Sequence, residues 1–174
     1  MKILAFGASN SKNSINKKLA EFIANQLVHS EKKIIDLNDY ETVIFSPERK
    51  LLHGAPQLIK DFVEEIEIAD FIIISFAEYN GSYTAAFKNI FDWATQIKNN
   101  LFEQKSVFLS ATSTGSRGGQ TVLEAALQRF PRHGAHIMGS FSLPFFYENF
   151  DFEKGITNIE RLNSLQKQLK QINR

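Results

Sequence analysis

The sequence predicts an α/β protein built on a doubly wound parallel sheet, and three observations carry that prediction. Five short apolar, β-branched segments alternate with segments of helical periodicity, the signature of repeated βα units. The central apolar segment, Phe71-Ile72-Ile73-Ile74-Ser75-Phe76, is apolar almost throughout, as a strand covered on both faces must be. Three of the segments run directly into polar loops, and parallel sheets bind ligands just beyond the carboxyl ends of their strands.

The elements follow in order. Ile3 to Gly7 reads as a short buried strand, the loop Ala8 to Ser14 follows it, and Ile15, Leu19, Phe22, Ile23 and Leu27 trace one face of a helix. Lys33 to Leu37 is expected as the second strand. Residues 38–56 read as irregular, with His53 solvent-exposed in a loop and Glu48 and Arg49 as surface charges within reach of a partner subunit. Leu58, Ile59, Phe62, Val63 and Ile66 mark the second helix, which leads into the central strand. After the connection Glu78-Tyr79-Asn80-Gly81-Ser82, a third helix starts at about Thr84, with Ala86, Ile90, Trp93 and Ile97 at helical spacing. Val107 to Ser110 gives the fourth strand, and Val122, Leu123, Ala126, Leu127 and Phe130 the fourth helix, which ends near Pro131. Ala135 to Phe141 is the fifth strand, with His136 expected to be packed or hydrogen-bonded at the sheet end. An aromatic run, Phe145, Phe146, Tyr147, Phe150 and Phe152, reads as core or helix packing, with a lid over a ligand or a subunit contact as the other readings, and Leu162, Leu165, Leu169 and Ile172 build a closing helix. With no repeat, linker or low-complexity block, residues 1–174 are expected to form a single domain.

The totals exclude several classes of function. The 20 basic and 19 acidic residues leave a net charge of +1, which offers no footing for nucleic acid or an anionic membrane. There is no cysteine, so disulfides, thiolate metal sites and cysteine catalysis are excluded, and redox chemistry has to come from a bound cofactor. The chain opens on a strand pattern, and no apolar stretch approaches about 20 residues, so a cytoplasmic location is expected. Neither GxGxxG nor GxxxxGK[ST] occurs, which argues against a dinucleotide-binding dehydrogenase and against a nucleotide triphosphatase.

The loops carry the chemistry. In the first, Ser9, Ser11, Ser14, Asn10 and Asn13 outnumber what a helix cap needs, and hydroxyls beside the free amides of a helix start suit a terminal phosphate. The second, Glu78 to Ser82, offers an acid, a phenol, an amide, a flexible backbone and a hydroxyl. The third, Ala111 to Gly119, contains Ser113 and Thr114 as donors and glycines that let backbone amides approach a flat ring.

These stretches resemble the NADPH-dependent FMN reductases, a family of flavodoxin-like fold that includes quinone, azo and chromate reductases. EYNGS followed by KNxxDW, here Lys88, Asn89, Asp92 and Trp93, is similar to that family's second loop and third helix. Ser9, Ser14 and Asn16 match its pattern GSxRxxSxN, and Gly118 and Gly119 match its third loop. The chain departs from the pattern at Ser11, which stands for an arginine beside Lys12, and at Ala77, which stands for a proline. The resemblance implies a three-layer flavodoxin-like sandwich with a five-stranded parallel sheet of order 2-1-3-4-5. It implies tightly bound FMN, with Ser9, Ser11, Ser14, Ile15 and Asn16 at the phosphate and Glu78, Tyr79, Asn80, Gly81 and Ser82 along the ribityl and ring. Ser113, Thr114, Gly115, Gly118 and Gly119 would line the pyrimidine side. Arg117 is a possible NAD(P)H contact, and Asn89 and Asp92 are expected to hold the third helix and its loop. The chemistry would be borne by FMN, with no catalytic side chain and no metal. Hydride would pass from NAD(P)H through FMN to a quinone, azo compound, flavin or similar acceptor, in a homodimer or homotetramer. A flavodoxin-type electron carrier and a flavodoxin-like binding domain without activity are the other readings.

Overall fold

The computed structural model describes residues 1–28 and 30–172. In chain order the strands are β1 (Lys2–Ala8), β2 (Glu31–Ile34), β3 (Phe71–Phe76), β4 (Glu78–Tyr79), β5 (Ser82–Tyr83), β6 (Ser106–Thr112), β7 (His136–Leu143), β8 (Phe150–Asp151) and β9 (Gly155–Ile156). The α-helices are α1 (Ile15–Asn25), α2 (Pro47–His53), α3 (Gln57–Ile68), α4 (Ala85–Ile97), α5 (Gln120–Arg129), α6 (Phe146–Asn149) and α7 (Ile159–Leu169), with 3-10 turns at Leu37–Tyr40 and Phe130–His133. The main sheet is five-stranded in the order β2-β1-β3-β6-β7, and every pairing in it is parallel. Counting only these five strands, the order is 2-1-3-4-5, the flavodoxin-like arrangement.

Alternation along the strands divides the core in two. Leu4, Phe6, Ile72, Ile74 and Leu109 face α3, α4 and α5. Ile3, Ala5, Phe71, Ile73 and Phe108 face α1 and α7. All six residues of β3 are buried, because strands lie on both sides of it and helices cover both faces.

Four sequence expectations need correction. The second strand begins at Glu31 and ends at Ile34, earlier than Lys33 to Leu37. As an edge strand it tolerates exposed Glu31, Lys32 and Lys33, and it stops where the Asp36 carboxylate accepts the Asn38 amide and starts the 3-10 turn. Residues 38–56 are not wholly irregular, because Ser46 caps α2 by accepting from the Arg49 amide, Pro47 opens the helix and Gly54 closes it at φ 71°. His53 therefore ends a helix, although it is exposed as expected. His136 is exposed at the first residue of edge strand β7, and its ring makes no hydrogen bond among the described residues. The aromatic run divides: Phe146 and Phe150 enter the core beside α1, while Tyr147 and Phe152 are exposed.

Candidate functional site

The carboxyl ends of β1, β3 and β6 lie side by side, and the loops leaving them enclose a crevice of about 250 Å³. Ser9, Ser11, Asn13, Ser14, Ile15 and Asn16 line one part, Ala77 to Tyr79 and Thr112 to Thr114 another, and Tyr147 the rim.

The first loop is shaped by a close approach. A Cβ on Gly7 would stand 2.4 Å from the Lys17 amide nitrogen, so only glycine lets β1 run under the first turn of α1. Ser14 caps that turn, its Oγ accepting from the Lys17 amide at 3.1 Å, and Ser9 Oγ accepts from the Ser11 amide at 3.1 Å. Both hydroxyls accept from backbone, which leaves their own protons to donate. The amides of Ile15 and Asn16 open the helix and meet no acceptor among the described residues. Free amides, free hydroxyl protons and the positive end of the helix dipole together form a donor set that suits a phosphate. Lys17 does not join it, because its Nζ lies 2.6 Å from Asp36. Burial works to raise the Asp36 carboxyl, but hydrogen bonds from Lys17 and Asn38 outweigh it and hold the group below its ordinary value.

The Asn16 side chain has another task. It is 2% exposed, its Oδ1 accepts from Ser75 Oγ at 2.7 Å and from the Thr112 amide at 3.0 Å, and its Nδ2 donates to the Thr112 carbonyl at 3.1 Å. One amide group thus ties the start of α1 to β3 and to the end of β6. Of Asn16, only the backbone is free for a ligand.

The second loop is a tight hairpin. Tyr79 pairs with Ser82 across a turn with Asn80 at φ 52° and Gly81 at φ 73°, the left-handed backbone of a two-residue turn. This folds Asn80, Gly81 and Ser82 outward, away from the crevice lining, so the flank expected from five residues comes from Glu78 and Tyr79, with Ala77 before them. The Glu78 carboxylate accepts the Val122 amide at 2.9 Å in the first turn of α5 and lies 3.6 Å from the Arg117 guanidinium. Arg117 also donates to Thr121. Glu78 therefore fastens the hairpin to α5.

Gly118 and Gly119 sit behind the crevice. A Cβ on Gly118 would stand 2.5 Å from Ser142 Oγ, and one on Gly119 would stand 2.9 Å from Ala111 Cβ. Both support the loop from its far side and leave Ser113 and Thr114 at the lining, with Gly115 outside it. Sequence reasoning missed Asn13, Ala77 and Thr112 as lining residues and left Tyr147 undecided. For Thr112, the polar residue closing a buried strand was the available signal.

The KNxxDW segment splits in two. Asn89 Oδ1 accepts from the Phe45 amide at 2.8 Å, its Nδ2 donates to the carbonyls of Thr42 and Val43, and Trp93 Nε1 donates to Val43 at 2.9 Å. These residues bind the 42–45 segment to α4. Asp92 does not take part, since its carboxylate pairs with Lys88 one turn back at 2.7 Å on the exposed face.

The family model for NADPH-dependent FMN reductases matches residues 1–148. The chain belongs to the NADPH-dependent FMN reductase family. As a member of it, the protein is an NAD(P)H-dependent flavin oxidoreductase. An uncharacterized protein of Mycoplasma pneumoniae is 31% identical over 88% of this chain and 93% of its own length. A quinone reductase of Escherichia coli is 26% identical over 68% of this chain and 63% of its own length. Among solved structures, the flavoenzyme NAD(P)H:(acceptor) oxidoreductase FerB of Paracoccus denitrificans superposes with a TM-score of 0.78 at 21% identity, covering 98% of this chain and 93% of that one. An NADH:FMN oxidoreductase, EmoB, gives 0.74 at 22% identity over 99% and 88%. These two likenesses establish the shared fold. No helix among the described residues is long and apolar enough to cross a membrane.

Proposed function

We propose that this reductase binds FMN tightly in the crevice and passes reducing equivalents from NAD(P)H to a flat acceptor of the quinone or azo class. The reading rests on one observation: unpartnered donors at the start of α1 open into the same crevice as the ends of β3 and β6. The hydroxyls of Ser9, Ser11 and Ser14 and the amides of Ile15 and Asn16 hold the phosphate, while the Asn16 side chain keeps that turn in register with Thr112. Glu78 and Tyr79 flank the ribityl and ring, and Asn80, Gly81 and Ser82 form the tip that sets the angle of Tyr79. The backbone of Ser113 and Thr114 meets the pyrimidine edge, where amides oppose the negative charge that develops on reduction, and Gly115, Gly118 and Gly119 shape that loop. Bound FMN supplies a hydride acceptor that can release one or two electrons, so no side chain has to act as nucleophile or base.

Tyr79 and Tyr147 bear on the acceptor. They are 53% and 65% exposed, and both line the crevice, so a planar substrate would find aromatic surface at its mouth. Arg117, its side chain 69% exposed, is the contact proposed for NAD(P)H. The working unit is a homodimer or homotetramer of this single-domain chain, as the family resemblance implies.

The test is titration of apoprotein with FMN, followed by quenching of flavin fluorescence. One FMN per chain is expected, with Ser9→Ala and Ser14→Ala each weakening binding about tenfold through the loss of a charge-assisted hydrogen bond. NADPH oxidation should then saturate with benzoquinone. Unquenched flavin would overturn the proposal.

A further inference from the structure

Helix α2 buries none of its 7 residues, although so short a helix depends on packing for its stability. On it, Leu51 and Leu52 are 87% and 73% exposed, and Ile44 just before it is 73% exposed. The segment is nevertheless firmly held. Arg49 donates to the Ile44 carbonyl, Lys50 Nζ lies 3.2 Å from Gln96 Oε1 on α4, and the Phe45 ring is centred 5.0 Å from that of Trp93. Large apolar side chains held rigidly in solvent mark a surface that another molecule covers.

The outward face of α2 also has a sign of charge. Glu48, Leu51 and Leu52 are three and four residues apart and so share one face of the helix. The neighbouring cations Arg49 and Lys50 are engaged within the chain, whereas Glu48 forms no ion pair among the described residues.

A surface of the complementary kind lies on the other flank of α4. There a cleft of about 450 Å³ separates α4 from α5, with Phe91 and Ala125 as apolar lining and Arg129 and Arg132 as cations. Lys88 in the same lining is neutralised by Asp92 at 2.7 Å, but neither arginine forms an ion pair among the described residues. Asn89, Trp93 and Gln96 of α4 hold the α2 segment, while Lys88, Phe91 and Thr95 face the cleft. Helix α4 therefore has an acidic, leucine-bearing ridge along one flank and a cationic cleft along the other.

We propose that a second copy of this chain covers both, with α2 of each protomer seated in the α4–α5 cleft of its partner. A two-fold axis along α4 exchanges the two flanks, so a single rotation closes two identical contacts. In each, Leu51 and Leu52 enter the cleft over Phe91 and Ala125, and Glu48 meets Arg129 of the partner subunit. The inference rests on the homo-oligomer reading above and gives that oligomer its surface.

The experiment is sedimentation equilibrium of the protein with and without FMN, so that failure of the flavin reading leaves this one testable. The unaltered chain should assemble, and Leu51→Asp with Leu52→Asp should dissociate where it is assembled. Glu48→Arg and Arg129→Glu each set like charges together at both contacts, so each alone should weaken association about tenfold per contact and about a hundredfold in all. Mixed in equal amounts, these two variants should assemble again, because both contacts of the mixed dimer pair opposite charges. A variant damaged in folding would not be rescued by mixing. An unaltered chain that sediments as a monomer would overturn this proposal and the homo-oligomer reading together, and its co-sedimentation with phosphatidylcholine vesicles would assign the leucines to a lipid surface instead. An oligomer that withstands all these substitutions, or variants that dissociate and are not restored by mixing, would overturn the α2-in-cleft contact alone.

Discussion

Replacing Asn16 by alanine should unfasten the crevice without touching any free donor in it. The substitution removes contacts of 2.7, 3.0 and 3.1 Å at a site 2% exposed. Ser75 can turn its hydroxyl toward another acceptor, but the Thr112 amide cannot turn, and a buried donor left unsatisfied costs roughly 1–3 kcal/mol. With the carbonyl of Thr112 also released and the lost side-chain volume unfilled, the expected cost is about 3 kcal/mol. That is a large share of the roughly 5–15 kcal/mol that holds a domain folded. Urea unfolding of the apoprotein should show a lower midpoint at unchanged slope. FMN affinity should fall about tenfold as well, because the first turn of α1 is displaced from the loop after β6. A cost under about 1 kcal/mol, too little even for one orphaned buried donor, would refute the reasoning.

The other predictions concern the frame of the site. Gly7→Ala sets a methyl group against the Lys17 backbone and should cost about 1–3 kcal/mol in thermal or urea unfolding, with weaker FMN uptake. Asn89→Ala frees the 42–45 segment from α4, so limited proteolysis should speed up there and stability should drop by roughly 1–2 kcal/mol, whereas Asp92→Asn should change it by less than about 0.5 kcal/mol. Asp36 is held below its ordinary value, so its contribution is present above the unfolded value near pH 3.9 and is lost as pH falls through the folded one. Asp36→Asn should therefore lower stability at neutral pH and flatten the decline below about pH 4, as read from denaturation midpoints across pH.

The sheet was legible because its central strands are buried on both faces, so the apolar runs of β1, β3 and β6 announced themselves. The edge was not: β2 needs only one good neighbour, and Glu31, Lys32 and Lys33 can face solvent without penalty. Helix α2 buries no residue and so leaves no apolar stripe, although Ser46-Pro47 and Gly54 were readable as its ends. In the site, strand order brings the three polar loops together, and that much follows from topology. Which atoms face the crevice does not. Asn80 and Gly81 adopt positive φ and fold the turn outward, and the Asn16 side chain bonds Thr112, 96 residues away, an arrangement that spacing along a helix cannot reveal. Tyr147 reaches the crevice through α6, while its neighbours Phe146 and Phe150 enter the core, and composition does not distinguish the three.

The central claim is tested most directly by the visible spectrum of the purified protein after addition of FMN and removal of excess, recorded before and after anaerobic NADPH. Flavin bands near about 450 nm that stay with the protein, bleach on NADPH and return with benzoquinone are the predicted result, since the redox chemistry belongs to the bound cofactor. Protein that leaves the column colourless, or retained bands that NADPH does not bleach, would contradict it.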